Sequence, residues 1–216
     1  MTLKLFFHPL SSYCHKALIA LYENATPFEP VLVDLGNPGE AAAFKALWPI
    51  GKFPVLKDEA RDTLVPESSI IIEYLALHYP GPSQLIPADP DLAIQTRLRD
   101  RFYDQYLLEP VGKIVPDRLR PPGQNDHLGV EQARERLRTA YDMIEADMSA
   151  KPWAMGQTFT LADCAAAPAL FYANMIEPFS PAHRNCAAYL ERLKARPSYA
   201  RTLDEAEPYF AMMPKG

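Results

Sequence analysis

The chain has 216 residues, 48% of them hydrophobic, enough to bury a sizeable core in one large domain or two small ones without disulfide staples. Its formal charge of -5, with no run of lysine or arginine, gives no general attraction to nucleic acid or anionic lipid, and no apolar stretch approaches the ~20 residues needed to cross a bilayer. Three cysteines without metal-ligand spacing and five scattered histidines suggest neither a disulfide framework nor a metal site, and MTLKLFFHPL lacks the length and cleavage site of a signal peptide; a cytoplasmic protein is expected.

The first eighty residues alternate strand and helix signals. LKLFF is a short apolar run ended by Pro9, and the next segment puts Cys14, Ala17, Leu18, Leu21 and Tyr22 on one helical face. FEPVLVD reads as a strand, EAAAFKAL as a short helix, FPVLK and DTLVP as two further strands and ESSIIIEYLALHY as a helix, giving the order βαβαββα. Pro80, Pro82, Pro87 and Pro90 then interrupt regular hydrogen bonding, so residues 81–90 are expected to link a first domain, 1–80, to a second, 91–216. Beyond them only helical periodicity is found. A long helix from about Asp91, interrupted at Pro110, a helix from Val130 to about Met148, and a third beginning after the N-cap Thr160, with Asp163 reaching back, are expected. Two shorter helices, about Asn185–Ala195 and Ser198–Tyr209, complete an all-α half.

Three turns in the first half carry polar chemistry. SSYC places Ser11 and Ser12 at a helix start, where either is by base rate an N-cap. WPIGKFPVL puts Pro54 at a strand entrance; a cis bond there would turn the Phe53 backbone into a cleft, able to pair with a peptide-like ligand, though Pro54 also fits as an ordinary strand starter. VPESSIII opens a helix whose free N–H groups suit a carboxylate while Glu67 suits an ammonium, which together match an amino-acid head group; a plain helix start reads the same way. All three turns fall at one end of the small sheet. A ligand with a free amino-acid head, two amide bonds and a thiol would satisfy them together, which describes glutathione.

SSYCHKALIALYE, WPIGKFPVL and VPESSIIIEYL, followed by FTLADCAAAPAL, resemble the cytosolic glutathione transferase superfamily over essentially the whole chain. The Ser-Ser pair is most similar to the zeta class, although Tyr13 stands where that class has cysteine. The resemblance implies an α/β thioredoxin-like N-terminal domain, an all-α C-terminal domain and a homodimer. It implies that Glu67 and Ser68 hold the γ-glutamyl group, that the Phe53 backbone pairs with the cysteinyl unit ahead of cis Pro54, and that Lys52 lies near the glycyl carboxylate, a position equally natural for a solvated turn lysine. Ser11, at the position of the redox relatives' nucleophilic cysteine, or Ser12 beside it, would donate a hydrogen bond to the glutathione thiolate.

The expected activity is transfer of glutathione to a small hydrophobic electrophile, a detoxifying reaction that uses no metal. A maleylacetoacetate-type isomerase and a non-catalytic binding module are the alternatives, and a thiol oxidoreductase is disfavoured because only Cys14 of the dithiol pair remains, on the inward helical face. Tyr103, Tyr106 and Ile114 are the expected lining of the electrophile pocket, between the two halves.

Overall fold

The computed structural model describes residues 2–214. Leu3–Phe7 (β1) runs parallel to Glu29–Leu32 (β2) and antiparallel to Val55–Asp58 (β3), which pairs antiparallel with Thr63–Pro66 (β4), in the spatial order β2-β1-β3-β4. Pro30 lies on the edge strand β2, where a missing ladder donor costs least. Ser12–Glu23 (α1) and Ser68–His78 (α3) cover one face of the sheet, closing Leu18, Leu21, Ile71 and Leu75 onto Leu3, Leu5, Leu56 and Val65. Pro38–Leu47 (α2) covers the other face with Phe44 against Val33 and Val55.

Between α3 and α4, residues 79–89 form no helix or strand. The remaining elements are helical: Pro90–Tyr103 (α4), a π turn Asp104–Leu108, Glu109–Asp117 (α5), His127–Asp147 (α6), Leu161–Ile176 (α7), Arg184–Lys194 (α8), Pro197–Ala206 (α9) and a 3₁₀ turn Glu207–Met212. Two differences from the sequence expectation stand out. The helix starting near Asp91 passes through the π turn before Pro110, which stands in the first turn of α5. The last helix ends at Ala206, and Pro208 opens the 3₁₀ turn instead of continuing it.

The capping box ahead of α7 is present as expected. Asp163 accepts from the Thr160 N–H at 2.8 Å, and its other oxygen accepts from the Ala154 N–H and the Tyr189 hydroxyl. Helix α7 is alanine-rich and buried along nearly its whole length, packing against α4 and α1. Consequently α1 is enclosed all round. Its Ala17, Leu18 and Leu21 face the sheet while Ile19 and Ala20 join the core of the helical half, so the one-sided amphipathic reading of this helix was too simple.

Candidate functional site

Each of the three sequence turns opens onto one polar cleft of about 460 Å³ or the cavity beside it. Lys52, Phe53, Pro54, Glu67 and Ser68 line the cleft together, opposite Arg101, Asp104, Gln105 and Glu109 from the α4–α5 segment. The Phe53–Pro54 peptide is cis, and the β1–β3 ladder begins only at Val55, which leaves Phe53 outside it.

Glu67 precedes α3 with φ of 70°, the left-handed region that a residue with a Cβ seldom adopts. Such conformations cluster at ligand clamps, where surrounding structure over-determines them. Among the described residues no side chain caps the first turn of α3, so its N–H groups are available to an anion, and Ser68 is buried beside them while Glu67 is exposed.

Behind the start of α3 lies a charge cluster that the sequence reading missed. The Lys16 ammonium, fully buried in α1, binds Asp100 Oδ1 at 2.5 Å, Asp104 Oδ2 at 2.8 Å and Ser69 Oγ at 2.8 Å. Ser69 donates to Asp100 Oδ2 at 2.8 Å, and Arg101 reaches both residues. The start of α3 is thereby tied to α1 and α4. Burial pushes the Asp104 carboxyl upward in pKa against the pull of Lys16, and its Oδ1 has no partner. A lysine inside the apolar run CHKALIAL was the one sequence signal for this cluster.

The two serines lie around the corner. Ser11 is the N-cap of α1, its hydroxyl oxygen accepting from the Cys14 N–H at 3.4 Å, and Ser12 is the first helical residue. Both line a second cavity of about 320 Å³, whose other walls are Leu10, Leu108, Val111, Val115, Pro116, Tyr172, Ile176 and the segment Met212–Pro214. None of its described lining residues carries a charge. Tyr13, Leu108 and Gly112 line both cavities and so mark where they meet. Burial, with the carboxylates of Asp104 and Glu109, raises the Tyr13 phenol above its ordinary pKa, which keeps it protonated.

The expected electrophile-pocket residues require correction. Tyr103 and Ile114 are packed in the core of the helical half, and Tyr106 is exposed beside Phe102, Thr139 and Met143 in a separate hollow. Leu108, Val111 and Val115, rather than these three, line the apolar cavity beside the cleft. Cys14 is fully buried, and burial pushes its thiol up to about 12, so it holds no nucleophilic thiolate at neutral pH.

A thioredoxin-like sheet followed by this helical half is the architecture of glutathione transferases. Residues 5–83 match the family description "Glutathione S-transferase, N-terminal domain" and residues 128–192 match "Glutathione S-transferase, C-terminal domain". The chain is 31% identical over 211 residues to glutathione S-transferase 3 of Zea mays, covering 93% of each chain. It is 30% identical over 207 residues to the stringent starvation protein A homolog of Coxiella burnetii, covering 94% of this chain and 92% of that one. Its fold matches the crystal structure of a glutathione S-transferase from Methylobacterium radiotolerans in complex with glutathione sulfonate, with a TM-score of 0.82, 29% identity and 94% coverage of both chains. The chain belongs to the glutathione S-transferase family.

Proposed function

We propose that this protein binds glutathione in the polar cleft, ionises its thiol at the Ser11 turn and transfers it to a small, uncharged hydrophobic electrophile held in the adjoining apolar cavity. The observation that carries the reading is the meeting of the two cavities at Tyr13, Leu108 and Gly112, with the serine turn next to Tyr13 on the apolar side of that junction. The complex of the Methylobacterium relative with glutathione sulfonate supports the ligand. Glu67 takes the α-ammonium, Ser68 and the free N–H groups of α3 take the γ-glutamyl carboxylate, the Phe53 backbone pairs with the cysteinyl unit, and Lys52 approaches the glycyl carboxylate.

The N-cap and catalytic readings of Ser11 are compatible. As a cap its oxygen spends one lone pair on the Cys14 N–H, which leaves the hydroxyl proton free to donate to a thiolate. Lowering a thiol pKa from about 8.5 by two units takes roughly 2.7 kcal/mol. One hydrogen bond to a charged acceptor contributes about 1.5–3 kcal/mol and a helix N-terminus about 0.3–1 more, so no basic residue is required.

Isomerisation of a maleylacetoacetate-type compound fits less well, because a carboxylate-bearing substrate would enter a cavity whose described walls offer it no cation. The Coxiella relative, which is not named as a transferase, keeps a non-catalytic role as the second reading. The exposed Ile70 and Leu77 on α3, with Ile94 and Leu98 on α4, favour a homodimer, and a cytoplasmic location goes with the reading.

The thiolate absorbance of bound glutathione, titrated against pH, tests the mechanism. Ser11→Ala is expected to raise the apparent thiol pKa by about one to two units and to cut conjugation of an aryl halide at neutral pH at least about tenfold, with little change in glutathione affinity. If Ser12→Ala shifts the titration instead, the neighbouring hydroxyl is the donor; if neither does, the serine mechanism fails.

A further inference from the structure

We propose that His15 and Tyr172 are positioning residues for the Ser11 hydroxyl. The inference rests on the reading of Ser11 as the thiolate donor. The turn from His8 to Ser11 joins β1 to α1, and between those ends only the first α1 bond, from the His15 N–H to the Ser11 carbonyl, anchors it regularly. It is nevertheless saturated with hydrogen bonds. The Leu10 N–H donates to His8 Nδ1 at 3.2 Å, the Ser11 N–H to the His8 carbonyl at 3.0 Å, and the His15 N–H to the Ser11 carbonyl at 3.0 Å.

Two carbonyls remain, those of Pro9 and Leu10, and each is met by one buried side chain. His15 Nε2 lies 2.5 Å from the Pro9 oxygen, and the Tyr172 hydroxyl donates to the Leu10 oxygen at 2.9 Å. Both side chains are buried, with ring centroids 5.6 Å apart. His15 Nδ1 has no partner and burial holds the ring's pKa down to about 4, so at neutral pH the ring carries one proton and the Pro9 carbonyl places it on Nε2. The Tyr172 hydroxyl is committed to Leu10, leaving only its ring as a wall of the apolar cavity.

Tyr172 belongs to α7, 162 residues along the chain from Leu10. The helical half therefore fixes the backbone of the residue just before Ser11 as well as shaping the cavity beside it. Removing either donor leaves a carbonyl of the turn unpaired, and the turn can recover a partner only by moving the serine that follows. A hydroxyl displaced by even part of an ångström holds a thiolate less well.

The experiment is a pH titration of the thiolate absorbance in the binary complex with glutathione, without electrophile, so that contacts with the second substrate cannot contribute. Tyr172→Phe keeps the ring and deletes only the donor; it is expected to raise the bound thiol pKa by up to about one unit, the scale of one neutral hydrogen bond. Conjugation at pH 6.5 should fall several-fold in kcat and recover at high pH, with the KM for glutathione unchanged. His15→Leu should shift the titration in the same direction, and His15→Gln, which keeps an N–H, should restore part of it. A side chain that merely supports the fold would lower the melting temperature without moving the thiol pKa. A Tyr172→Phe titration coincident with wild type overturns the proposal. A wild type that binds glutathione without any thiolate absorbance removes the Ser11 reading beneath it.

Discussion

The two cavities share a wall but are built on opposite principles. In the polar one every candidate contact is directional: an acid at a strained backbone position, free N–H groups at a helix start, a backbone edge outside a ladder. In the apolar one the walls are leucine, valine, isoleucine, proline, methionine and aromatic carbon, with hydroxyls from the two serines and Tyr13 as the polar side-chain groups. Directional groups left unpaired are costly, so a cavity built from them discriminates sharply; apolar contact discriminates by only about 1–3 kcal/mol per methylene. On the proposed reading, such a pair of walls suits one fixed co-substrate on the polar side and a range of electrophiles on the apolar side.

The comparison can be broken at the shared turn, at the polar side or at the apolar side, in decreasing order of expected effect. The turn depends on a neutral His15, whose pKa falls from 6.5 to about 4 on folding. The unfolded chain therefore takes up this proton first, and the stability it represents is complete above about pH 6.5 and is lost as pH falls towards 4, amounting to about 3 kcal/mol. Urea unfolding at intervals across that range should show the slope, and His15→Gln should flatten it.

On the polar side, Glu67→Ala deletes the ammonium's charge partner and should weaken glutathione binding about ten- to hundredfold, enough to abolish retention on a glutathione resin, with far-ultraviolet circular dichroism unchanged. Retention at the wild-type level would remove the clamp. On the apolar side, Val111→Trp fills a wall that belongs only to the second cavity. It should raise the KM for a bulky aryl electrophile about tenfold while leaving that for glutathione within about twofold. A parallel loss of both affinities would mean that the cavities do not act separately.

What the sequence made legible follows the range of the interactions. The βαβαββα order, the serine turn, the Phe53–Pro54 entrance and the Glu67–Ser68 helix start rest on signals a few residues long, and the structure has each element where those signals put it. Tyr103 and Ile114 lie in the core of the helical half instead, because the packing of the other helices around α4 and α5 is a long-range matter that the residues of one helix do not announce. The roles of Lys16 and His15 were hidden for a related reason. Their partners lie on α3, α4 and the turn before α1, and periodicity within one helix cannot show that a second layer will enclose its outer face.

The buried ammonium of Lys16 also bears on how the chain divides. Lys16 and Ser69 belong to the first eighty residues, whereas Asp100 and Asp104, the two carboxylates that balance the charge, come from α4 and the π turn. An excised first half would have to leave this cation in water or bury it against a hydroxyl alone, and an uncompensated buried charge costs several kcal/mol, a large share of the 5–15 kcal/mol that holds a domain together. The thioredoxin-like half and the helical half are thus expected to unfold together, and one coincident transition for probes in each half would show it.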